Sequence, residues 1–381
     1  MEERPPGLVM RREISERRVL LGSVPSRTSN TLLLRGGERK AIPFTGFELM
    51  FLGTSAGSPS VRRNPTAVCL RMERSNWMFD CAEGSLRQLM KSTIRVPSTD
   101  KFFITHLHGD HLYGLPGILC TLDNHNAAYV DSRTRRRVPR PISVYGPLGL
   151  FSYLNTAFAT SSSRLTNITV TVHELVSPKM LEEASGFEKF MSQAPVHPCL
   201  RREMIFAESD GNNLIWKVFE DGDHRVIAST VKHSVTCFGY VVEEHDIPGK
   251  LKPEKLIAKG LKPGPAFRQL KHGKPLTLPS GEIIFPSDVL VHEATLSHEM
   301  VRQAVHRGHS TARMAGFTAR RMNATLLALT HFSHRFRHWT AGHRLGTTQH
   351  LALEAQITFG RRAVIPASDF LRIPIPRRPQ E

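Results

Sequence analysis

At 381 residues and 40% hydrophobic content, the chain is long enough to bury a sizeable core as one large domain or two. Its 51 Lys and Arg against 34 Asp and Glu leave a formal charge of +17, an excess that suits a polyanionic partner, nucleic acid above all. Five scattered cysteines with no C-x-x-C pair argue for reduced thiols inside a cell rather than a disulfide framework, and no apolar run is long enough to span a membrane.

Residues 1–46 read as a basic extension, with nine Arg or Lys against five Glu and little apolar periodicity. The Arg and Ser content fits an organelle transit peptide. Glu2, Glu3, Glu13 and Glu16 speak against one, and a disordered basic tail is the equal alternative. The globular part opens at Glu48-Leu-Met-Phe-Leu-Gly-Thr, an apolar strand ending in Gly53, and a Gly- and Ser-rich loop leads to Pro59-Ser-Val-Arg-Arg-Asn64. Thr66 to Met72 and Trp77 to Asp80 read as paired strands across a polar turn. Gly84 to Lys91 reads as a helix with Leu86, Leu89 and Met90 on its buried side.

The apolar run Phe102-Phe103-Ile104 predicts a short buried strand, and Thr105-His-Leu-His-Gly-Asp-His-Leu-Tyr-Gly114 follows it. Three histidines and one aspartate stand there in the pattern H-x-H-x-D-H. Gly114 and the Pro116-Gly117 pair delay any helix after it, so the cluster is expected on a loop at a strand's end, where a rigid scaffold holds functional groups. Imidazole and carboxylate are the nitrogen and oxygen ligands that Zn²⁺ accepts. Residues two apart on an extended segment point the same way, so His106 and His108 can reach one ion. Asp110 and His111 point apart and suit a second. Two metals at roughly 3.5–4 Å can clamp both oxygens of an in-line phosphoryl displacement.

Farther along, Ile142 to Pro147 reads as a strand and turn, Gly149 to Thr160 as a helix, and Ile168 to Leu175 as a strand. Residues 176–213 read as irregular and polar, and Leu214 to Phe219 resumes strand character. His233 precedes an apolar strand that contains Phe238-Gly-Tyr240. Residues 247–274 carry eight Lys or Arg against one Glu, with four prolines and four glycines, and read as a protruding basic arm that meets phosphates as point charges. Val289 to Thr295 is a buried strand ending in His292-Glu293. Gly308-His-Ser-Thr-Ala312 opens a helix with Ser310 as its expected N-cap, and Thr325 to Thr330 is a strand ending at His331. His334, His338, His343 and His350 read as surface residues. Alternating strands and helices predict a layered α/β architecture.

The run Phe103-Ile-Thr-His-Leu-His-Gly-Asp-His-Leu-Tyr-Gly-Leu-Pro-Gly resembles the metallo-β-lactamase superfamily, and its Gly-Leu-Pro-Gly continuation resembles the tRNase Z branch, which cuts 3′ trailers from precursor tRNA. The resemblance extends from about Glu48 to Pro374. It implies an αββα sandwich over 47–374, with 246–286 inserted as a flexible tRNA-binding arm and 375–381 as a basic tail. It also implies two Zn²⁺, one on His106, His108 and His233 and the other on Asp110, His111 and His331. Asp110 would orient or deprotonate the attacking water, and His309, supported by Glu293, would protonate the leaving 3′ oxygen. An aspartate in the place of Asp80 supports the metal site in that superfamily without touching metal; a turn-forming Asp is the alternative. Arg63 and Asn64 match a P-x-K-x-R-N loop associated with sensing the tRNA 3′ end, although Val61 replaces its lysine. Lys250, Lys252, Lys255, Lys259, Lys262 and Lys271 lie in the arm. The family implies a homodimer in the cytoplasm or nucleus, with the N-terminal extension leaving mitochondrion or plastid open.

One departure stands out. The branch places a Gly-Asp-Thr segment between the arm and the His-Glu-Ala-Thr strand, and its Asp bridges both metals. Between His233 and His331 this chain has only Asp246 and Asp288. A strand and part of a helix are absent before residue 289, so weak metal retention, a sheet edge beside Val289 to Val291 and a tendency to aggregate are expected. Besides the impaired nuclease, two readings compete. One is a non-catalytic RNA-binding paralogue or an incomplete splice or gene-model product. The other is a thioester or small phosphodiester hydrolase, against which the basic arm speaks.

Overall fold

The computed structural model describes residues 7–13, 44, 46–126, 129–131, 135–191, 195–210, 213–245, 276–277, 283–284, 286–337 and 345–375. Most of the basic arm, with Lys250, Lys252, Lys255, Lys259, Lys262 and Lys271, lies outside them, as do Asp246 and the tail beyond 375.

The strands in chain order are β1 (Gly7–Glu13), β2 (Phe47–Gly53), β3 (Ala67–Met72), β4 (Asn76–Phe79), β5 (Thr99–Phe103), β6 (Arg140–Pro147), β7 (Ile168–Val176), β8 (Leu200–Phe206), β9 (Glu208–Asp210), β10 (Asn213–Glu220), β11 (His224–Val231) and β12 (Cys237–Glu244). There follow β13 (Leu276–Thr277), β14 (Ile283–Ile284), β15 (Pro286–Glu293), β16 (Leu326–Thr330), β17 (Val364–Pro366) and β18 (Arg372–Pro374). The α-helices are α1 (Ser85–Lys91), α2 (Gly109–Leu112), α3 (Leu115–His125), α4 (Leu150–Thr160), α5 (Pro178–Met191), α6 (Val301–His306), α7 (Ala312–Arg321) and α8 (Thr348–Phe359).

Two eight-stranded sheets carry the fold, ordered β18-β2-β3-β4-β5-β6-β7-β8 and β17-β16-β15-β1-β12-β11-β10-β9. Period-two alternation sorts their side chains into layers. Phe47, Leu49, Phe51, Trp77, Phe79 and Phe103 of the first sheet meet Trp216, Phe238, Tyr240, Val289 and Val291 of the second in one central core. Their neighbours Met50, Leu52, Phe102 and Ile104 face outward onto α1, α3 and α4. On the other side Leu290, Leu327 and Leu329 face the alanine-rich α7 and α8. Helix, sheet, sheet, helix is the αββα sandwich that the motifs implied.

The extension contains a strand. Backbone pairing places β1 antiparallel to β15, from Gly7 opposite His292 to Glu13 opposite Pro286, and parallel to β12, from Leu8 opposite Tyr240 to Arg11 opposite Glu243. Residues 7–13 are therefore sheet, not tail, and the edge expected beside Val289 to Val291 is paired. The signal, Gly-Leu-Val-Met, was too short and too heavily flanked by charge to read as a strand.

Other departures are local. Residues 178–191 form α5 and 200–210 form β8 and β9, in a stretch read as irregular; their polar composition hides a strand that has its two faces in different surroundings. Met90 is 71% exposed, whereas Leu89 is buried as expected, together with Ser85 and Gln88. The cap of α7 is Thr311, whose hydroxyl accepts from Met314 N, one residue beyond the expected Ser310. The delayed helix is observed: α3 begins at Leu115 with Pro116 in its first turn, where the missing N–H costs nothing. Gly114 precedes it because a Cβ there would lie 2.1 Å from Ala82 O.

Truncation to residues 14–381 removes β1 and leaves both β12 and β15 with unpaired edges. The lost ladders, at about 1 kcal/mol per hydrogen bond, should lower the melting temperature by roughly 5–10 °C and raise light scattering. A truncated chain that melts with the full-length one would show that β1 adds nothing.

Candidate metal centre

The motif segment leaves β5 as the expected loop through His108 but then turns into α2, which carries Asp110 and His111, and it is pinned by backbone bonds from three strands. Ile104 N donates to Tyr145 O at 2.8 Å, Phe238 N to Thr105 O at 2.9 Å, and Cys81 N to His111 O at 2.7 Å. β6, β12 and the end of β4 thereby hold the ligand-bearing segment at one end of the sandwich. β16 delivers His331 to the same end, and the turn before β12 delivers His233.

Three trios of donor atoms result among the described residues; two hold the six expected ligands, and the third, Glu293, His309 and His331, shares His331 with the second of them. In the first, His108 Nδ1 stands 3.1 Å from His106 Nε2 and 3.3 Å from His233 Nε2. In the second, His111 Nε2 and His331 Nε2 are 3.3 Å apart, and Asp110 Oδ2 lies 3.5 Å and 3.6 Å from them. The trios adjoin, with the His106 and His111 rings 4.0 Å apart. Ligands at about 2.0–2.1 Å from a tetrahedral Zn²⁺ stand about 3.3 Å from one another, so these spacings are those of a zinc coordination edge. All six residues expected as ligands are brought together.

The far nitrogen of four of the five rings is held in a matching way. His106 Nδ1 donates to Thr105 Oγ1 at 2.9 Å, and that hydroxyl donates to Asp80 at 2.9 Å. His331 Nδ1 donates to Thr295 Oγ1 at 2.9 Å, and that hydroxyl donates to Glu293. His111 Nδ1 donates directly to Asp80 at 2.7 Å, and His233 Nδ1 to Gly308 O at 2.9 Å. Each bond fixes the tautomer and turns the other nitrogen toward the shared point. Asp80 reaches its position at φ 59, a left-handed conformation that Asp tolerates better than most residues. The two His-Thr-carboxylate relays were not legible in the sequence, although Thr105 and Thr295 sit inside the motifs.

The charges follow from this geometry. Burial, reinforced by neighbouring His111, holds His106 far below the usual imidazole range, so it is neutral. Burial and His233 lower His108. Burial opposes charge at His111, yet Asp80 and Asp110 together raise it to about 10. Burial likewise opposes a charged His331, and hydrogen bonds to Asp110 and Glu293 outweigh it. Asp110 and Glu293 are both held down despite burial, by His111 and His331 in the first case and by His309 and His331 in the second. A cation entering the second trio takes the place of protons on its imidazoles.

Glu293 also organises the residue expected as the acid. Its Oε1 accepts from Ser310 N at 2.8 Å and its Oε2 from His309 Nδ1 at 3.2 Å. His309 stands beside both trios, ring centroids 5.4 Å from His331 and 5.8 Å from His233, with its Nε2 edge turned away from the carboxylate.

Of the two residues expected at the RNA face, Arg63 is largely withdrawn and Asn64 is half-buried. Arg63 is 6% exposed and donates to Phe336 O at 2.7 Å. Asn64 donates from its backbone to Asp369 and from its side chain to Glu83 O. Both tie the loop to the body. More exposed cations are the loop's neighbours: an open trough of about 770 Å³ is lined by Arg62, Arg335 and Arg337 together with Arg63. His334, expected at the surface, donates to Ser58 O at 2.8 Å and clamps the same loop. That loop reaches the metal ligands through Gly57 N, which donates to Asp110 Oδ2 at 2.7 Å. The run of glycine and serine after β2 was the sequence signal for it.

Asp288 does not substitute for a bridging carboxylate. It opposes Arg11 in β15, five residues before Glu293 and so about 16 Å away along the strand. The carboxylates grouped with the histidines among the described residues are Asp110 and Glu293. Asp80→Ala should free His111 and the Thr105 relay and weaken zinc binding about 10–100-fold in competition with a chromogenic chelator. Unchanged affinity would remove Asp80 from the support of the site.

Known proteins are similar to this chain in sequence and fold. A family model described as the anti-Pycsar protein Apyc1 matches residues 47–128. The zinc phosphodiesterase ELAC protein 1 of Homo sapiens is 35% identical, covering 86% of this chain and 98% of that protein. Ribonuclease BN of Cronobacter sakazakii is 33% identical, covering 86% of this chain and all of that one. The crystal structure of human tRNase Z, short form, superposes with a TM-score of 0.57 at 30% identity, over 86% of this chain and 99% of that one. Similarity of this extent, over a site with these ligands, places the chain in the tRNase Z family of metallo-β-lactamase-fold hydrolases, alongside ELAC protein 1 and ribonuclease BN.

Proposed function

We propose that the chain is a zinc-dependent endoribonuclease that removes 3′ trailers from precursor tRNA, with its rate reduced by loss of the bridging aspartate. The observation that carries the reading is the pair of donor trios spaced at 3.1–3.6 Å beside the His309–Glu293 pair. When bound, two zinc ions supply charge neutralisation at the phosphate and activation of the attacking water. His106, His108 and His233 would hold one ion; Asp110, His111 and His331 would hold the other. Asp110, kept ionised by its imidazole neighbours, acts as an orienting acceptor toward the water. His309 presents Nε2 to the leaving 3′ oxygen while Glu293 fixes its Nδ1, the arrangement of a general acid.

The arm lysines Lys250, Lys252, Lys255, Lys259, Lys262 and Lys271 hold the tRNA away from the cleaved bond. Arg62, Arg335 and Arg337 join Arg63 and Asn64 as contacts for the RNA, a reading supported by the trough they share with Arg63. The family supports a homodimer, and the five free cysteines, four of them buried, suit the reducing interior of a cell. Missing sequence is supported by the match to the human relative. Its aligned stretch of 368 positions is longer than the 86% share of this chain that it uses, so part of the relative has no counterpart here. A binder without effective catalysis is the second reading; in its favour, the carboxylates grouped with the histidines among the described residues are Asp110 and Glu293 alone.

Elemental analysis of the purified chain should find less than two tightly held zincs, and trailer removal should be slow; His108→Ala should abolish both metal and cleavage while keeping tRNA binding. Two retained zincs with turnover of roughly 1 s⁻¹ or more would show that the bridge is dispensable. Cleavage at the unaltered rate by His108→Ala would rule out the metal mechanism.

Replacing Lys250, Lys252, Lys255, Lys259 and Lys262 by Ala should weaken precursor tRNA binding and flatten its salt dependence by about 0.7–0.9 log units per lost phosphate contact. A small chromogenic phosphodiester, too short to reach the arm, should be hydrolysed as before. Equal loss on both substrates would make the arm structural.

A further inference from the structure

An aromatic pair stands at the rim of the metal centre with no part in the chemistry above. Tyr113 follows the ligand His111 by two residues and is 65% exposed. Its ring lies so close over Gly109 that a Cβ there would meet three ring carbons at 2.3–2.7 Å. Gly109 separates the ligands His108 and Asp110, so the ring borders the ligand loop itself. Tyr153 of α4 stands almost parallel to it, with centroids 6.4 Å and planes 20° apart. Tyr153 is packed on the outer core of the first sheet, which makes it a fixed backing rather than a mobile one. Burial pushes its hydroxyl pKa up, so the ring is neutral at working pH. The head of α4 rests on the same loop: a Cβ on Gly149 would lie 3.3 Å from Leu107 Cδ1.

An exposed aromatic ring this close to a phosphodiesterase centre has an obvious occupant in chemical terms. Metals and cations place the phosphate, while the bases on either side of the cleaved bond are left to splay. Stacking on a ring holds a base by its π face and accepts any of the four, which suits a substrate pool with trailers of varied sequence. We infer that Tyr113, backed by Tyr153, is the stacking platform for a base that flanks the scissile phosphate. The inference rests on the RNA-processing reading given above. The platform positions substrate and takes no part in bond breaking. Its contribution is the same in ground and transition states, so it acts on KM more than on kcat.

The test uses the full chain with zinc and a precursor tRNA carrying 2-aminopurine at the last retained or the first trailer nucleotide. A methylphosphonate at the cleaved linkage prevents turnover. The unaltered chain and Tyr113→Phe should quench the fluorescent base at one of the two positions. Tyr113→Ala and Tyr113→Leu should abolish that quench and weaken binding about five- to a hundredfold. Melting temperature and zinc content of these variants should match the unaltered chain, since the side chain is mostly exposed. On a cleavable substrate Tyr113→Ala should raise KM, and Tyr113→Phe should restore it. Quench and affinity that survive Tyr113→Ala would overturn the platform while leaving the nuclease reading in place. Failure of the zinc-loaded, unaltered chain to bind the RNA at all would overturn both.

Discussion

Imidazole nitrogens do not stand 3.1–3.3 Å apart, lone pairs toward one point, without a cause. Such an arrangement repels unless a proton or a cation lies between, and the rest of this fold is arranged to enforce it. Three strands pin the loop that carries four of the six ligands. The outer nitrogen of four rings is then taken up by an acceptor: a hydroxyl backed by a carboxylate for His106 and His331, the Asp80 carboxylate for His111, and the Gly308 carbonyl for His233. Removing freedom at the back of each ring leaves it only one way to face. The cost is carried by buried charge, since Asp80 and Glu293 sit inside the protein and are compensated by the imidazoles they orient.

The ligands were legible because H-x-H-x-D-H after an apolar strand compresses four donors into six residues, and because His233 and His331 each adjoin a strand with a clear apolar pattern. The helix Leu115 to His125 was legible in its delayed start, since Gly114 and Pro116 act through backbone geometry alone. What escaped depends on contacts between segments far apart in sequence. Nothing near Arg63 says that its guanidinium will reach Phe336 O, 273 residues away, and withdraw from the surface. The Thr105 and Thr295 relays look like ordinary hydroxyls until the carboxylates arrive from β4 and β15. α5 and β8 were hidden for another reason: a partly exposed helix and a strand with polar residues on both faces have no period that separates them from loop.

The second sheet takes one of its central strands from the amino terminus. Sheet order β15-β1-β12 sets residues 7–13 between two elements that do not pair with each other, and the insertion satisfies backbone groups on both. Filling a ladder is a matter of main-chain atoms, which any sequence has. The donor cluster asks more, since each of its groups is one side chain at one position.

The position of β1 also sets an order of events in synthesis. The first strand of the chain completes its pairing only when β15 appears, some 280 residues later. At about 5–20 residues per second, Gly7–Glu13 must wait on the order of 15–60 s for its antiparallel partner to be made. Once β12 is made, β1 can pair with it, but its other edge stays open until β15 appears, and the β1–β15 contact is among the least local in the fold. Closing this sheet therefore joins a segment made early to one made late.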